Sequence, residues 1–129
     1  MNGRFLLDTN IVIAIFSNDN LVMEPLEMVE EVFVPIIVLG ELYYGAKKSN
    51  KVERNVTRII EFAQSCSVLI CDTETSRQYG DIKNLLCAKG RPIPENDIWI
   101  AAIAKQHELT LVSRDDHFIE IENFPTITW

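Results

Sequence analysis

Apolar residues lie along this chain in short blocks of two kinds, and the kinds alternate. Brief unbroken runs occur at RFLL (4–7), VFV (32–34), SVLIC (67–71) and LTLVS (109–113), with TIT (126–128) as a short final strand. Between them lie stretches with helical spacing: TNIVIAIFS (9–17), a short EPLEMVEE (24–31), IIVLGELYYGAKK (36–48), KVERNVTRIIEFAQ (51–64) and ETSRQYGDIKNLLCAK (74–89), the last closed by Gly90. Pro35 ends the VFV strand and suits the first turn of the helix behind it. Val52, Val56, Ile59, Ile60 and Ala63 fall on one face of the fourth helix. Unbroken apolar strands separated by helices predict a parallel sheet covered on both faces, an α/β fold.

The sixth helical stretch is different. From Ile98 to Ala104 every residue is apolar. Such a helix has no face to give to solvent and is expected to be buried. Asn96 and Asp97 stand directly before it; Asn96 offers a cap, and Asp97 favours the positive end of the helix dipole.

At 129 residues the chain has the size of a single domain, 1–129. Its apolar runs are far too short to span a bilayer, and an Asp interrupts the N-terminal stretch within eight residues, so no secretory signal is expected. These features lead to an expectation of a cytoplasmic protein without a membrane role. Cys66, Cys71 and Cys87 form no C-x-x-C pair and read as small reduced hydrophobes.

Strand ends are where ligands bind in parallel α/β sheets. FLL ends in Asp8, SVLIC in Asp72, and LTLVS leads into Arg114, Asp115 and Asp116. Each acid also has an ordinary explanation. Asp8 and Asp72 suit helix N-caps; Asp115 and Asp116 suit a solvated turn. Glu41 is less ordinary: at helical spacing it neighbours Ile37, Val38, Tyr44 and Gly45, a mostly apolar stripe where a carboxylate needs a partner. Lys48 could pair with it. Gly40 and Gly45 weaken that helix, which suggests a close approach of backbone or ligand. The order Asp8, Glu41, Asp97, Asp115 is the arrangement expected of acids converging on one cleft. Carboxylate oxygens suit Mg²⁺ or Mn²⁺. His107 and His117 lack metal-ligand spacing with each other and read as surface residues.

A net charge of −7 argues against a nucleic-acid partner, since phosphates attract basic surfaces. Setting aside Asp8, Glu41, Asp97, Asp115 and Asp116 as one metal site takes −7 to −2 and weakens that objection. Lys47, Lys51, Arg54 and Arg58 recur at spacings of four, three and four. They form a phosphate-binding stripe if the helix is continuous; should Ser49–Asn50 break it, Lys51, Arg54 and Arg58 remain as the phosphate-binding set. An ordinary solvated face explains them equally well.

The pieces LLDTNIVIA, GELYYGA, IPENDIWIAAIA and LVSRDDHF, in this order and spacing, resemble the PIN-domain ribonucleases, most closely the VapC-type toxins of bacterial toxin–antitoxin pairs. The resemblance covers nearly the whole chain. It implies a three-layer α/β/α sandwich with a mostly parallel central sheet, usually dimeric, that cleaves RNA and is silenced by a cognate antitoxin. It further implies a catalytic, metal-binding set of Asp8, Glu41, Asp97 and Asp115, with Asp116 as the alternative fourth acid, one or two Mg²⁺ or Mn²⁺ ions, and Thr9 and Ser113 lining the pocket. Ser113 stands where many members have Thr, which keeps the hydroxyl. The expected reaction is hydrolysis of RNA phosphodiester bonds with metal-activated water. Two other readings remain: a receiver-like domain with Asp72 as phosphoacceptor, and a non-catalytic binding module on the same fold.

Overall fold

The computed structural model describes residues 3–129. In chain order the elements are β1 (Phe5–Leu7), α1 (Thr9–Phe16), α2 (Asn20–Glu27), β2 (Val32–Pro35), α3 (Ile36–Lys47), α4 (Val52–Gln64), β3 (Ser67–Leu69), α5 (Thr73–Ala88), α6 (Glu95–Gln106), β4 (Thr110–Val112), a 3-10 turn at Asp116–Glu120 and β5 (Thr126–Ile127). The strands form one sheet in the order β3-β2-β1-β4-β5, with all four pairings parallel. Six helices flank it, giving the expected α/β/α sandwich.

β1 is the central strand, and Phe5, Leu6 and Leu7 are all buried. It pairs on one side with β2 (Leu6 with Phe33) and on the other with β4 (Leu6 with Leu111). The strand order reverses direction between β1 and β4, so the crevice beyond their carboxyl ends is the topological switch point, where open α/β sheets bind ligands. A receiver-like domain has the order 2-1-3-4-5; this sheet does not.

α6 is buried as its composition requires: Ile98 and every residue from Ile100 to Ala104 are buried. Within Ile98–Ala104 only Trp99 is partly open, and it stacks on Tyr79 of α5 with ring centroids 4.1 Å apart. The helix begins at Glu95 with Pro94 in the capping position, so Asn96 is inside the helix and not its cap. Asp97 is the third helical residue, and its amide donates to the Pro94 carbonyl at 3.0 Å.

Several boundaries differ from the sequence expectation. α2 starts at Asn20, four residues before 24, because Asp19 caps it by accepting from the Leu21 amide at 3.0 Å. Pro25 is tolerated inside this helix, and the chain leaves it at Met28. The break at Ser49–Asn50 is real: α3 ends at Lys47 and α4 begins at Val52, so the four basic residues share no continuous helix. On α4, Ile60 is 44% exposed and does not belong to the apolar face. Gly40 and Gly45 face open space, since an added Cβ at either would meet nothing within 4 Å; no backbone packs closely there. Gly90 ends α5 as expected, at φ 67°, with the Arg91 amide reaching back to the Leu86 carbonyl at 3.0 Å.

Candidate metal centre

The acids after β1 and β4 meet through short bonds. Asp8 leaves β1 with its own amide donating to the Val112 carbonyl at 3.0 Å, which locks the two strand ends together. One carboxylate oxygen, Oδ1, accepts from the Thr9 amide at 2.8 Å and so caps α1. The other, Oδ2, accepts from Ser113 Oγ at 2.6 Å. The capping role and the cleft role of Asp8 are therefore served by different oxygens of one side chain. Asp8 and Ser113 are both buried.

From this centre the network extends both ways. Thr9 Oγ1 donates to Glu41 Oε1 at 3.0 Å, tying α1 to α3. Glu41 lies half-buried at the margin of the face formed by Val38, Leu39, Leu42 and Ala46. Its partner is Thr9 and not Lys48, whose ammonium lies 4.9 Å from the centre of the Tyr44 ring. On the other side, Ser113 Oγ accepts from the Asp115 amide at 3.0 Å. Asp115 caps the 3-10 turn, its Oδ1 accepting from the His117 amide at 3.0 Å. The His117 ring then brings Nδ1 to 2.7 Å from Asp97 Oδ2 and 3.0 Å from Asp115 Oδ1. A continuous chain of contacts thus runs Glu41, Thr9, Asp8, Ser113, Asp115, His117, Asp97, drawing on both strand ends and on three helices.

Burial is the main force on these carboxylates. It pushes Asp8 above the ordinary aspartate value, against the hydrogen bonds from Ser113 and Thr9. Burial likewise raises Glu41, with the charges of Asp8 and Asp97 adding to the effect and the Thr9 hydroxyl opposing it. Asp97 is raised by burial and by Asp8 and Asp115, while the bond to His117 pulls the other way. His117 in turn is held above the usual histidine value, chiefly by that same bond. A site that disfavours its own negative charge is one that a cation would relieve.

The residue missed by sequence reading is His117. It is not a separate surface histidine: one ligand atom from each of Asp97, Asp115 and His117 lies within 4.8 Å of the others. Its signal was local. His117 stands two positions after a capping Asp on a tight turn, whereas a search for spacing against His107 looks to the wrong partner. Asp116 is exposed and is not among these convergent groups. Asp72 lies elsewhere: it forms a reciprocal cap with Thr75 and accepts from Gln106, at the opposite end of α6 from Asp97.

Beside the Thr9–Glu41 edge runs a groove of ≈ 420 Å³ with mostly apolar walls, including Ile13, Phe16 and Leu42. Arg58 lines it too, its guanidinium 5.1 Å from the centre of the Phe16 ring. Arg54 and Arg58 share a shallow outer surface with Glu53 and Glu61, and Lys51 precedes α4 at its capping position.

Comparison with known proteins agrees in sequence and in shape. Residues 5–123 match the PIN domain family. The chain is 37% identical over 119 residues to "Ribonuclease VapC2" of Haemophilus influenzae, covering 87% of this chain and 86% of that protein. It is 33% identical to "tRNA(fMet)-specific endonuclease VapC" of Shigella flexneri, covering 91% and 90%. Its fold superimposes on a chain of VapBC2 from Rickettsia felis, solved bound to a promoter DNA fragment, with a TM-score of 0.90 at 30% identity and coverage of 97% and 98%. The strand order, the acids at the switch point and these matches together establish that the chain belongs to the PIN domain family, among its VapC ribonucleases.

Proposed function

We propose that this protein is a metal-dependent endoribonuclease and the toxin of a toxin–antitoxin pair. The observation that carries this reading is the single hydrogen-bonded chain from Glu41 to Asp97, which gathers four carboxylates where the sheet opens. Its relatives in Haemophilus and Shigella are named as RNA-cleaving enzymes, which supports the substrate class.

The donor set fits a hard divalent cation. Asp8, Glu41, Asp97 and Asp115 would hold Mg²⁺ or Mn²⁺, and Asp97 and Asp115 already converge. When bound, such an ion supplies Lewis acidity toward a phosphoryl oxygen and makes a water more acidic. The chain's own groups supply orientation. Ser113 and the Thr9 amide fix both oxygens of Asp8, and the Thr9 hydroxyl holds Glu41. The Asp8 amide bond to Val112 keeps the two halves of the site in register. Lys51, Arg54 and Arg58 offer cations to the RNA backbone beside the cleft. Asp115 is the fourth acid in this reading, and Asp116 is a surface residue.

The silencing partner would be a small antitoxin; the Rickettsia neighbour, itself a VapBC2 complex, supports that expectation. The apolar groove is a suitable path for a partner segment, and an Arg from it would pair with the carboxylates. We further read the toxin as a cytoplasmic homodimer. Among the described residues no helix is long and apolar enough to cross a membrane.

The test uses purified protein and initiator tRNA with Mg²⁺ or Mn²⁺. Wild type should cleave and chelator should stop it. Asp8→Ala and Asp97→Ala should remain folded and lose at least a hundredfold in rate. Undiminished cleavage by both variants would end the nuclease reading of this site. Full cleavage in the presence of a saturating amount of the small protein encoded next to it would end the antitoxin half.

A further inference from the structure

The four acids account for a divalent-ion site in oxygen ligands alone; the ring of His117 is the group in the cleft that they leave without a role. Resting on the metal-dependent reading above, we propose that Nδ1 of His117 is itself a ligand of the bound ion, beside Asp97 and Asp115, and that it biases the site toward first-row transition ions over Mg²⁺.

Three features carry this. First, the distances fit. Nδ1 lies 2.7 Å from Asp97 Oδ2 and 3.0 Å from Asp115 Oδ1. Neighbouring ligands on an octahedral ion with bonds of about 2.1 Å are about 3 Å apart. Second, the ring is positioned by the backbone. The His117 amide is held by Asp115 at 3.0 Å, and the next residue, Phe118, is 2% exposed and anchors the same turn in the core. Third, the chemistry differs from that of a simple counter-charge. A neutral imidazole carries a lone pair on one ring nitrogen, which ammonium and guanidinium groups lack. With Nδ1 giving its lone pair to an ion, Nε2 would carry the proton, on a side chain that is 46% exposed. Nitrogen donors suit transition ions, whereas Mg²⁺ selects oxygen.

The chain has two histidines, which makes the assignment directly readable. His107 sits at the far end of α6 from Asp97 and serves as the control. Mn²⁺ is added to the full-length protein, and pulsed electron paramagnetic resonance reads coupling from a directly bound ¹⁴N. Wild type and His107→Gln should show it, and His117→Gln should not. Because His117 is the sole imidazole in His107→Gln, that variant decides the matter even if His117→Gln folds poorly. Calorimetry should show that His117→Gln weakens Mn²⁺ binding by about tenfold or more, and Mg²⁺ binding by a smaller factor. Bound Mn²⁺ without nitrogen coupling in wild type, or coupling that survives in folded His117→Gln, would overturn the ligand assignment. Coupling without RNA cleavage would uphold the ligand and overturn the nuclease reading. Failure of wild type to bind Mn²⁺ at all would overturn both.

Discussion

Asp97 stands in the first turn of α6, where a carboxylate gains from the helix dipole, and it also faces His117 and feels the charges of Asp8 and Asp115. The two roles predict opposite signs. The dipole stabilises by about 0.3–1 kcal/mol. Two carboxylates about 5 Å apart at an effective dielectric near 20 repel by about 3 kcal/mol before screening and proton uptake. The bond to His117 offsets part of this, but that ring is 46% exposed and an ion pair so open to solvent is weak. Asp97→Asn is therefore expected to raise the melting temperature in chelator at neutral pH. Millimolar Mn²⁺ should stabilise wild type and do much less for the variant, because the ion binds only the folded cleft. Thermal melts of both proteins with and without the ion decide it; a destabilised variant with an undiminished response to Mn²⁺ would reduce Asp97 to a helix-start residue. At this scale the acids could be read from the sequence because Asp8 and Asp115 follow strands, Asp97 opens a helix and Glu41 interrupts an apolar helical stripe, and the topology then places them. His117 was missed, since its local signal gains meaning only through a 3-10 turn of five residues that folds its ring back onto its own cap.

At the scale of elements, Asp72 shows what a capping carboxylate looks like when it has no other task. Its Oδ1 accepts from the Thr75 amide, and the Thr75 hydroxyl accepts from the Asp72 amide. The Thr75 amide bond is the main cause holding Asp72 below the ordinary aspartate value. The sign follows. A carboxyl with a depressed folded value contributes stability above its unfolded value, about 3.9, and loses it as pH falls through the folded value. Asp72→Ala should lower the melting temperature at neutral pH, by an amount that shrinks in acid below the carboxylate range, while leaving RNA cleavage intact. A gap that stayed constant across this range would remove the charge from the explanation. Helices with strong patterns were legible, α6 above all, because unbroken apolar sequence leaves burial as the only option. α2 was not placed correctly: its cap, Asp19, lies ahead of the acidic run that suggested a later start. Strand β3 stops at Leu69, before Ile70, which is 63% exposed, so apolar content alone overstated it.

For the molecule as a whole, the difficulty is an acidic protein that must hold RNA. The net charge of −7 is partly concentrated in the cleft, where bound cations would offset it. Outside it, Arg54 and Arg58 lie beside Glu53 and Glu61, with Lys51 at the start of α4, so their attraction to phosphates is local. Replacing all three with Gln should flatten the salt dependence of RNA binding by about 0.7 in log–log slope for each lost contact to a single strand. An unchanged slope would assign the three to surface solubility.

The position of β1 between β2 and β4 also sets an order in time. Leu6 pairs with Leu111, and Asp8 is completed by Ser113, a residue 105 positions later. A chain still being synthesised can form β1, α1 and the Thr9–Glu41 contact long before β4 exists. Until residues 110–117 have left the ribosome, Asp8 lacks Ser113 and Asp97 lacks both Asp115 and His117. If the cleft is the nuclease site proposed above, an unfinished chain would lack it, because its two halves come together only once residues 110–117 are present.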